Sequence, residues 1–284
     1  MQYRLGLYEK AMPNSLSLLE KLMVAKDAGY DYLEMSIDET DEKLARLDAG
    51  TADIKKAMDT AGMPIGSICL SGHRKYPLGS NDPATEQRGI AILEKTIVLA
   101  GALGVRIIQL AGYDVYYEEA SEGTEARFLR NLRNGVRFAS RYGVLLGFET
   151  METAFMNNVQ KAMRYVSEVN SPYLGVYPDV GNCMNAALTY GEDALDDFRI
   201  GTGHIIAVHL KESLPGVFRE VPFGTGHVDF NGIIRAALAE GVGMFVTEFW
   251  QVDDHWRQAI TDAKAFFDDK FAAAASCLAQ GVSV

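Results

Sequence analysis

Three carboxylates and one imidazole stand near the carboxyl ends of four short apolar segments. They are Glu149, Asp179, His209 and Glu248, in segments 143–151, 173–182, 204–212 and 244–250. Successive members are separated by about 30 to 40 residues, roughly the length of one strand-plus-helix unit. Charged side chains are seldom placed on core strands unless they are paired or bind a metal. The four residues therefore predict a metal-dependent enzyme.

This ligand set predicts the kind of metal. Carboxylate oxygens and an imidazole nitrogen suit one divalent cation such as Mn²⁺, Mg²⁺, Co²⁺ or Zn²⁺. The alternative is that each residue caps or salt-bridges a strand end. Their common position on four consecutive strands favours the metal site over four separate structural roles.

The elements that would position these residues alternate along the chain. Helix-like segments end at glycine and an apolar strand follows within a few residues, at Gly29, Gly62, Gly104, Gly143 and Gly241. A proline stop at 171–172 replaces the glycine once. Ser15 is a plain N-cap candidate for the first helix. The predicted strands are 3–8, 32–37, 65–70, 107–111, 145–151, 174–178, 205–210 and 245–250, and helix-like segments include 15–28, 83–103, 122–141, 157–169, 231–239 and 255–275.

Eight such units predict an α/β fold, a single (β/α)₈ TIM barrel over residues 1–284. No G-x-G-x-x-G motif follows the first strand, which disfavours a dinucleotide-binding fold. In a barrel of this kind the catalytic groups lie at the carboxyl ends of the strands. The four opening residues then belong to strands five to eight.

Composition narrows the class of protein. The 284 residues are 48% hydrophobic and 23% charged, typical of a globular domain, and the net charge of −11 argues against a nucleic-acid partner. Cys69, Cys183 and Cys277 are few and odd in number, so we expect reduced thiols in the cytoplasm. No signal peptide is expected, because no long apolar stretch follows the basic residue near the amino terminus. No membrane span is expected, because no run of 18 apolar residues occurs.

Several segments resemble the L-ribulose-5-phosphate 3-epimerase family. They are GYDYLEMSIDE, SGHRKYPLGS, YPDVGN, AVHLKES, PGVFREVPFGTGHVDF and TEFW. This family, which includes L-xylulose-5-phosphate 3-epimerases and hexulose-6-phosphate isomerases, belongs to the xylose-isomerase-like barrels. The resemblance covers essentially the whole chain. It implies that Glu149, Asp179, His209 and Glu248 are the metal ligands, and that the substrate is a small phosphorylated ketose.

The implied reaction is inversion at C3 through an enediolate. A metal stabilises the developing charge, and two carboxylates exchange the proton from opposite faces. Strands five and eight lie about 135° apart around an eight-stranded ring. Glu149 and Glu248 are therefore the predicted catalytic residues, while Asp179 and His209 anchor the ion.

The phosphate requires a site of its own. Barrels often bind phosphate at the loops after strands seven and eight, where Arg219, Gly224 and Gly226 lie. An ordinary surface turn explains these glycines about as well. Arg74 and His73 follow strand three and are further candidates, Arg74 for the phosphate and His73 for the sugar. A solvated turn remains the alternative for Arg74.

Two further polar residues are predicted to contact substrate. Lys211 shares the face of His209, so it could neutralise a substrate oxygen or pair with a ligand carboxylate. Glu34 lies on the polar face of strand two and could bind a sugar hydroxyl, although a salt bridge at the barrel rim is an alternative. Trp250 and Phe249 are expected to pack rather than to stack on substrate.

Other functions remain open at this point. They are a hexulose-6-phosphate isomerase, a 3-epimerase of an unphosphorylated ketose, a Schiff-base lyase using Lys211, an endonuclease-like barrel and a non-catalytic binding protein. The endonuclease is disfavoured by the charge of −11 and by the small number of histidines, five in all. A homodimer is common in similar proteins and is a further expectation.

Overall fold

Eight parallel strands alternate with helices in the computed structural model, which describes residues 2–280. This arrangement confirms the predicted α/β barrel. The strands are β1 (Arg4–Tyr8), β2 (Tyr32–Ser36), β3 (Ile65–Leu70), β4 (Ile107–Ala111), β5 (Leu145–Glu149), β6 (Leu174–Tyr177), β7 (Val208–Leu210) and β8 (Met244–Thr247).

The strands follow one another around a ring. Their order in the sheet is β6-β5-β4-β3-β2-β1-β8-β7. Isolated parallel bridges join Val176 to Ile205 and Asp179 to His209. These bridges connect β6 with the β7 segment, so the ring closes and the carboxyl ends of all eight strands meet at one face.

Strand β7 is shorter than the sequence predicts. Residues 205–207 were expected to belong to it, but regular pairing begins at Val208. Ile205 makes only the isolated bridge to Val176. The hydrophobic pattern identifies an extended segment correctly, but it does not determine where the ladder of hydrogen bonds begins.

Ten α-helices cover the strands within residues 2–280. They are α1 (Leu18–Asp27), α2 (Asp41–Ala45), α3 (Ala52–Ala61), α4 (Pro83–Leu103), α5 (Glu122–Tyr142), α6 (Val159–Val169), α7 (Val180–Tyr190), α8 (Ala194–Ile200), α9 (Phe230–Ala239) and α10 (Trp256–Ala279), with short 3₁₀ turns at Glu9–Ala11 and Ser71–Arg74. Within that range, no helix is long and apolar enough to cross a membrane.

Local chemistry sets the helix ends. Gly104 and Gly143 end α4 and α5 with φ of 77° and 63°, a left-handed backbone that glycine adopts without strain. Ser17 caps α1 in a capping box with Glu20. The choice of Ser15 as the N-cap was therefore wrong by two residues, because Ser17 is the serine with a glutamate three positions later.

The apolar residues form two layers. The larger lies between the strands and the helices, and a smaller cluster fills the barrel interior with residues such as Tyr8, Tyr32, Cys69 and Tyr177. The three cysteines are free. The interior cluster forms the floor beneath the carboxyl ends of the strands, where the predicted site lies.

Candidate metal centre and substrate pocket

The structure brings the four predicted metal ligands together at one end of the barrel. Glu149 is the last residue of β5, Asp179 is the N-cap of α7, His209 is the middle residue of β7 and Glu248 directly follows β8. Each is buried and offers a ligand atom within 4.8 Å of the others. The spacing of one strand-plus-helix unit per residue accounts for this convergence.

His209 lies between two sets of carboxylates. Its Nδ1 is 3.3 Å from Glu149 Oε1 and 3.1 Å from Glu248 Oε2, while its Nε2 is 2.6 Å from Glu34 Oε1. Burial alone lowers the pKa of His209, but the charges of Glu34 and Glu248 and the hydrogen bond to Glu149 raise it well above its usual value. By these distances the ring directs Nδ1 toward Glu149 and Glu248 and Nε2 toward Glu34.

Asp179 is held by two neighbours. Its Oδ1 accepts a hydrogen bond from the backbone N–H of Asn182 (2.9 Å), and its other oxygen pairs with the Lys211 ammonium. Burial raises the pKa of Asp179 to about 7 against the lowering effect of Lys211, and Glu248 adds to the rise. A metal cation in addition to the Lys211 ammonium would offset the electrostatic repulsion among these carboxylates.

The donor set fits a divalent cation. Glu248 Oε2 is a buried carboxylate oxygen that has no hydrogen-bond partner among residues 2–280. Glu149 has its other oxygen, Oε2, occupied by the side-chain amide of Gln109. Each glutamate thus directs one oxygen toward His209 Nδ1, and the set of three carboxylates and one imidazole nitrogen could hold a metal.

A pocket opens above this cluster. It encloses about 270 Å³, and Glu149, Glu248 and Lys211 lie in its wall. Lys211 is only 5% exposed, and its ammonium donates a hydrogen bond to Asn182 Oδ1 (2.9 Å). The remaining lining residues are Tyr8, Lys10, Cys69, Ser71, Arg74, Met151, Glu152, Asn182, Phe218, Arg219 and Trp250.

The rim of this pocket carries two guanidinium groups on either side of one carboxylate. Arg74 and Arg219 each have a terminal nitrogen 3.9 Å from Glu152 Oε1, too far for a hydrogen bond. The Glu152 oxygens instead accept hydrogen bonds from the hydroxyls of Tyr113 (2.7 Å) and Tyr116 (3.3 Å). Within residues 2–280, Arg74 donates a hydrogen bond to the Tyr113 hydroxyl (3.3 Å), whereas the Arg219 guanidinium makes no hydrogen bond and could bind an anion.

Four residues predicted to contact the substrate or its phosphate lie elsewhere. Glu34 is fully buried beneath the pocket, bonded to His209, and His73 is buried with its Nε2 3.2 Å from Gly89 O. Gly224 donates its backbone N–H to Glu212 (2.9 Å), and Gly226 packs against the same side chain. The structure brings Arg74, Arg219 and Lys211 to the pocket, but not these four residues.

Several pocket residues were not singled out from the sequence. Tyr8 stands at the end of β1, Glu152 lies three residues after Glu149, and Trp250 was assigned to packing. Trp250 forms the wall between Tyr8 and Arg219, whose guanidinium lies 5.1 Å from the indole centroid. Position at a strand end was a signal for Tyr8. No local pattern distinguishes Glu152 from other loop glutamates.

Comparison with known proteins places this barrel in a class. A family model described as xylose isomerase-like TIM barrel matches residues 22–270. The chain therefore belongs to the xylose isomerase-like TIM barrel family. Within this class, the L-ribulose-5-phosphate 3-epimerase UlaE of Escherichia coli is 43% identical over 253 residues, which cover 88% of each protein. The counterpart from Salmonella heidelberg is 42% identical over the same length. This identity shows that the chain is a member of the L-ribulose-5-phosphate 3-epimerase family.

Solved structures share the fold. One L-ribulose 3-epimerase superposes with a TM-score of 0.77 at 22% identity, covering 100% of this chain and 99% of that one. A D-allulose 3-epimerase from Methylomonas sp., in complex with D-allulose, gives 0.76 at 18% identity over 95% and 97% of the two chains. A barrel of this class from Mycobacterium smegmatis, in complex with magnesium, gives 0.70 at 15% identity over 96% and 97%.

Proposed function

We propose that this protein is a divalent-metal-dependent 3-epimerase that interconverts L-xylulose 5-phosphate and L-ribulose 5-phosphate. The observation that carries the proposal is the buried cluster of Glu149, Asp179, His209 and Glu248 at the floor of a pocket with two arginines at its rim. The identity of 43% to L-ribulose-5-phosphate 3-epimerase UlaE supports the choice of substrate. The metal we propose is one of Mn²⁺, Mg²⁺, Co²⁺ or Zn²⁺.

Glu149 and Glu248 are the residues we propose for proton transfer. Their carboxylates reach the same histidine nitrogen from β5 and from the end of β8, so a ketose over the cluster would lie between them. One glutamate takes the C3 proton, and the other returns a proton to the opposite face. A bound cation would supply electrostatic stabilisation of the enediolate.

Asp179 and His209 would hold the cation, and Lys211 would bind a substrate oxygen. Lys211 is held by Asp179 and by Asn182 Oδ1, so its ammonium is fixed at the pocket wall. A fixed positive charge beside the developing enediolate lowers its free energy without reorganisation during the reaction. The placement of Lys211 next to a metal-ligating carboxylate favours this electrostatic role over Schiff-base chemistry, which needs a neutral amine.

Arg74 and Arg219 are the residues we propose for the phosphate. Both line the pocket, and among residues 2–280 their guanidinium groups make one hydrogen bond, from Arg74 to the Tyr113 hydroxyl. A phosphate accepts several charge-assisted hydrogen bonds from guanidinium groups. The glycine loop is the weaker candidate, because Gly224 already donates its N–H to Glu212.

Exchange of the C3 proton tests the proposal. The purified enzyme is incubated in D₂O with L-ribulose 5-phosphate, with and without a chelator, and deuterium at C3 is measured by NMR. We expect incorporation that the chelator abolishes and that added Mn²⁺ restores. Exchange that survives complete metal removal, or no exchange with any ketose phosphate, would show that the proposed function is wrong.

An unphosphorylated ketose is a second candidate substrate. Glu152 favours it, because this carboxylate stands between Arg74 and Arg219 and would repel a phosphate. The ratio of kcat/KM for L-ribulose 5-phosphate and free L-ribulose separates the two candidates. A ratio near one would remove the phosphate site and favour the free sugar, and a large ratio would remove this second candidate.

A further inference from the structure

Glu34 is a carboxylate in the interior of the barrel with no contact to the substrate pocket. It is the third residue of β2 and its accessible surface is 0%. An ionised carboxylate at such a depth is costly unless charge and hydrogen bonds compensate it. Because Glu34 does not line the pocket, it can influence the site only through the side chains that it contacts.

Glu34 receives three donors and each comes from a different strand. His209 Nε2 lies 2.6 Å from Oε1, while the hydroxyls of Ser67 and Tyr177 donate to Oε2 over 2.7 and 2.8 Å. Ser67 and Tyr177 fix the carboxylate in place from β3 and β6. One oxygen is thereby left for the imidazole alone.

The bond to Glu34 decides which nitrogen of His209 carries a proton. An ionised carboxylate only accepts hydrogen bonds, so Nε2 must donate. The lone pair of the neutral ring is then on Nδ1, the atom beside Glu149 and Glu248. Histidine ligands are commonly oriented in this way by a carboxylate behind the ring.

We propose that Glu34 is a positioning residue that directs His209 Nδ1 into the ligand cluster and thereby sets the metal affinity of the site. The inference rests on the proposed metal site, but it adds a residue that neither binds the cation nor touches the substrate. Loss of such a partner weakens metal binding by about 10- to 100-fold in known sites.

Calorimetric titration of the metal-depleted protein with Mn²⁺ tests the inference. We expect Glu34→Gln and Glu34→Ala to raise the Kd by about 10- to 100-fold. Tyr32→Phe is the matched control, because Tyr32 is buried in the same strand and donates to Phe245 O instead (2.8 Å). The control is expected to leave the Kd within about threefold, below the range known for lost histidine partners.

A spectroscopic measurement separates positioning from loss of structure. In ¹⁵N-histidine-labelled protein loaded with the diamagnetic ion Mg²⁺, His209 should show a protonated Nε2 and a metal-bound Nδ1. We expect the Nε2 proton resonance to be lost or strongly shifted in Glu34→Ala, while the circular dichroism spectrum stays that of the parent protein. If both Glu34 variants unfold, the double variant Ser67→Ala, Tyr177→Phe loosens the same carboxylate and should weaken Mn²⁺ binding.

The outcomes distinguish this inference from the proposed function. If the parent protein binds no divalent cation, the proposed metal-dependent function fails. If the parent binds Mn²⁺ and the folded Glu34 variants bind it as tightly, with the histidine resonances unchanged, the positioning role is overturned and the metal site stands. For the double variant, an unchanged Kd likewise overturns the positioning role.

Discussion

Glu149 and Glu248 lie in the same cluster but differ in their hydrogen-bond partners. Glu149 receives the Gln109 amide on one oxygen, whereas Glu248 Oε2 has no hydrogen-bond partner within the described residues. We propose both for proton transfer because they reach the cluster from different strands, Glu149 from β5 and Glu248 from the end of β8. Single substitutions should therefore affect proton transfer more than the fold.

We expect Glu149→Gln and Glu248→Gln each to lower the rate of C3 proton exchange by about 10²- to 10⁴-fold, the usual contribution of general acid–base catalysis. Glutamine keeps the size of the side chain and removes its basicity. Exchange in D₂O and net epimerisation are measured for both variants. Glu192→Gln, on the exposed connection before α8, is the control. Activity near the parent level in either variant would contradict the role assigned to that residue.

We expect Arg219→Gln to raise KM for the ketose phosphate by about 10- to 100-fold, because a hydrogen bond to a charged group contributes about 1.5–3 kcal/mol. Turnover of free L-ribulose should hardly change. Steady-state kinetics on both sugars gives the comparison. The matched control is Arg257→Gln, an exposed arginine that packs on Trp256 outside the pocket. Equal effects on both sugars would place the phosphate elsewhere.

At the scale of elements, a buried ion cluster ties the first two βα units together. Glu9, in the turn after β1, accepts hydrogen bonds from Lys21 of α1, Lys43 of α2 and Arg46. It also accepts the backbone N–H of Ser36 at the end of β2 (2.8 Å). One buried carboxylate thus pairs with three cations.

We expect Glu9→Gln to lower the free energy of unfolding by about 3–5 kcal/mol, since removing one partner leaves buried charges without compensation. Urea denaturation of parent and variant measures the difference. Lys95→Gln is the control, because its pair with Asp48 is exposed and should contribute less than about 1 kcal/mol. A loss for Glu9→Gln no larger than that of the control would contradict this account.

The same cluster predicts a pH dependence. Burial alone raises the pKa of Glu9, but the hydrogen bond and charge of Arg46, with Lys21 and Lys43, outweigh it and hold that pKa well below its usual 4.5. A lowered pKa in the folded state gives stability that is complete above pH 4.5 and is lost as the pH falls toward the folded-state value. We expect unfolding free energies measured between pH 6 and pH 3 to fall more steeply for the parent than for Glu9→Gln. Parallel curves would show that Glu9 is not the group responsible.

At the scale of the whole molecule, the proposed metal site joins strands that are distant in sequence. Its proposed ligands lie in or directly after β5 to β8, and Glu34, which we propose orients His209, lies in β2. A cation that binds only the folded barrel therefore stabilises all of these elements together.

We expect Mn²⁺ at 100 times its Kd to stabilise the protein by about 2.7 kcal/mol, as mass action requires. Thermal unfolding with chelator and with Mn²⁺ measures the shift in melting temperature. Asp179→Asn should lose most of this shift, and Tyr32→Phe should keep it. If Mn²⁺ leaves the melting temperature of the parent protein unchanged, the proposed metal site is contradicted.

The sequence by itself determined the barrel and the residues that converge at its end. Glycines after the helices and apolar segments before Glu149, Asp179, His209 and Glu248 are local signals, and parallel strands bring such positions to one face whatever the details of packing. This is why the strand order could be predicted while the start of β7 and the cap of α1 could not.

Only the tertiary structure decided how deep each polar residue lies. Alternation along β2 puts Glu34 on the inner face, but the stagger of the closed barrel places it below the pocket, against His209. A contact within the loop after β7 likewise binds Gly224 to Glu212, and contacts between distant loops bring Glu152 close to Arg74 and Arg219. A sequence pattern specifies the face of a strand on which a side chain lies. How deeply that side chain is buried and which residues it contacts depend on the positions of the other seven strands.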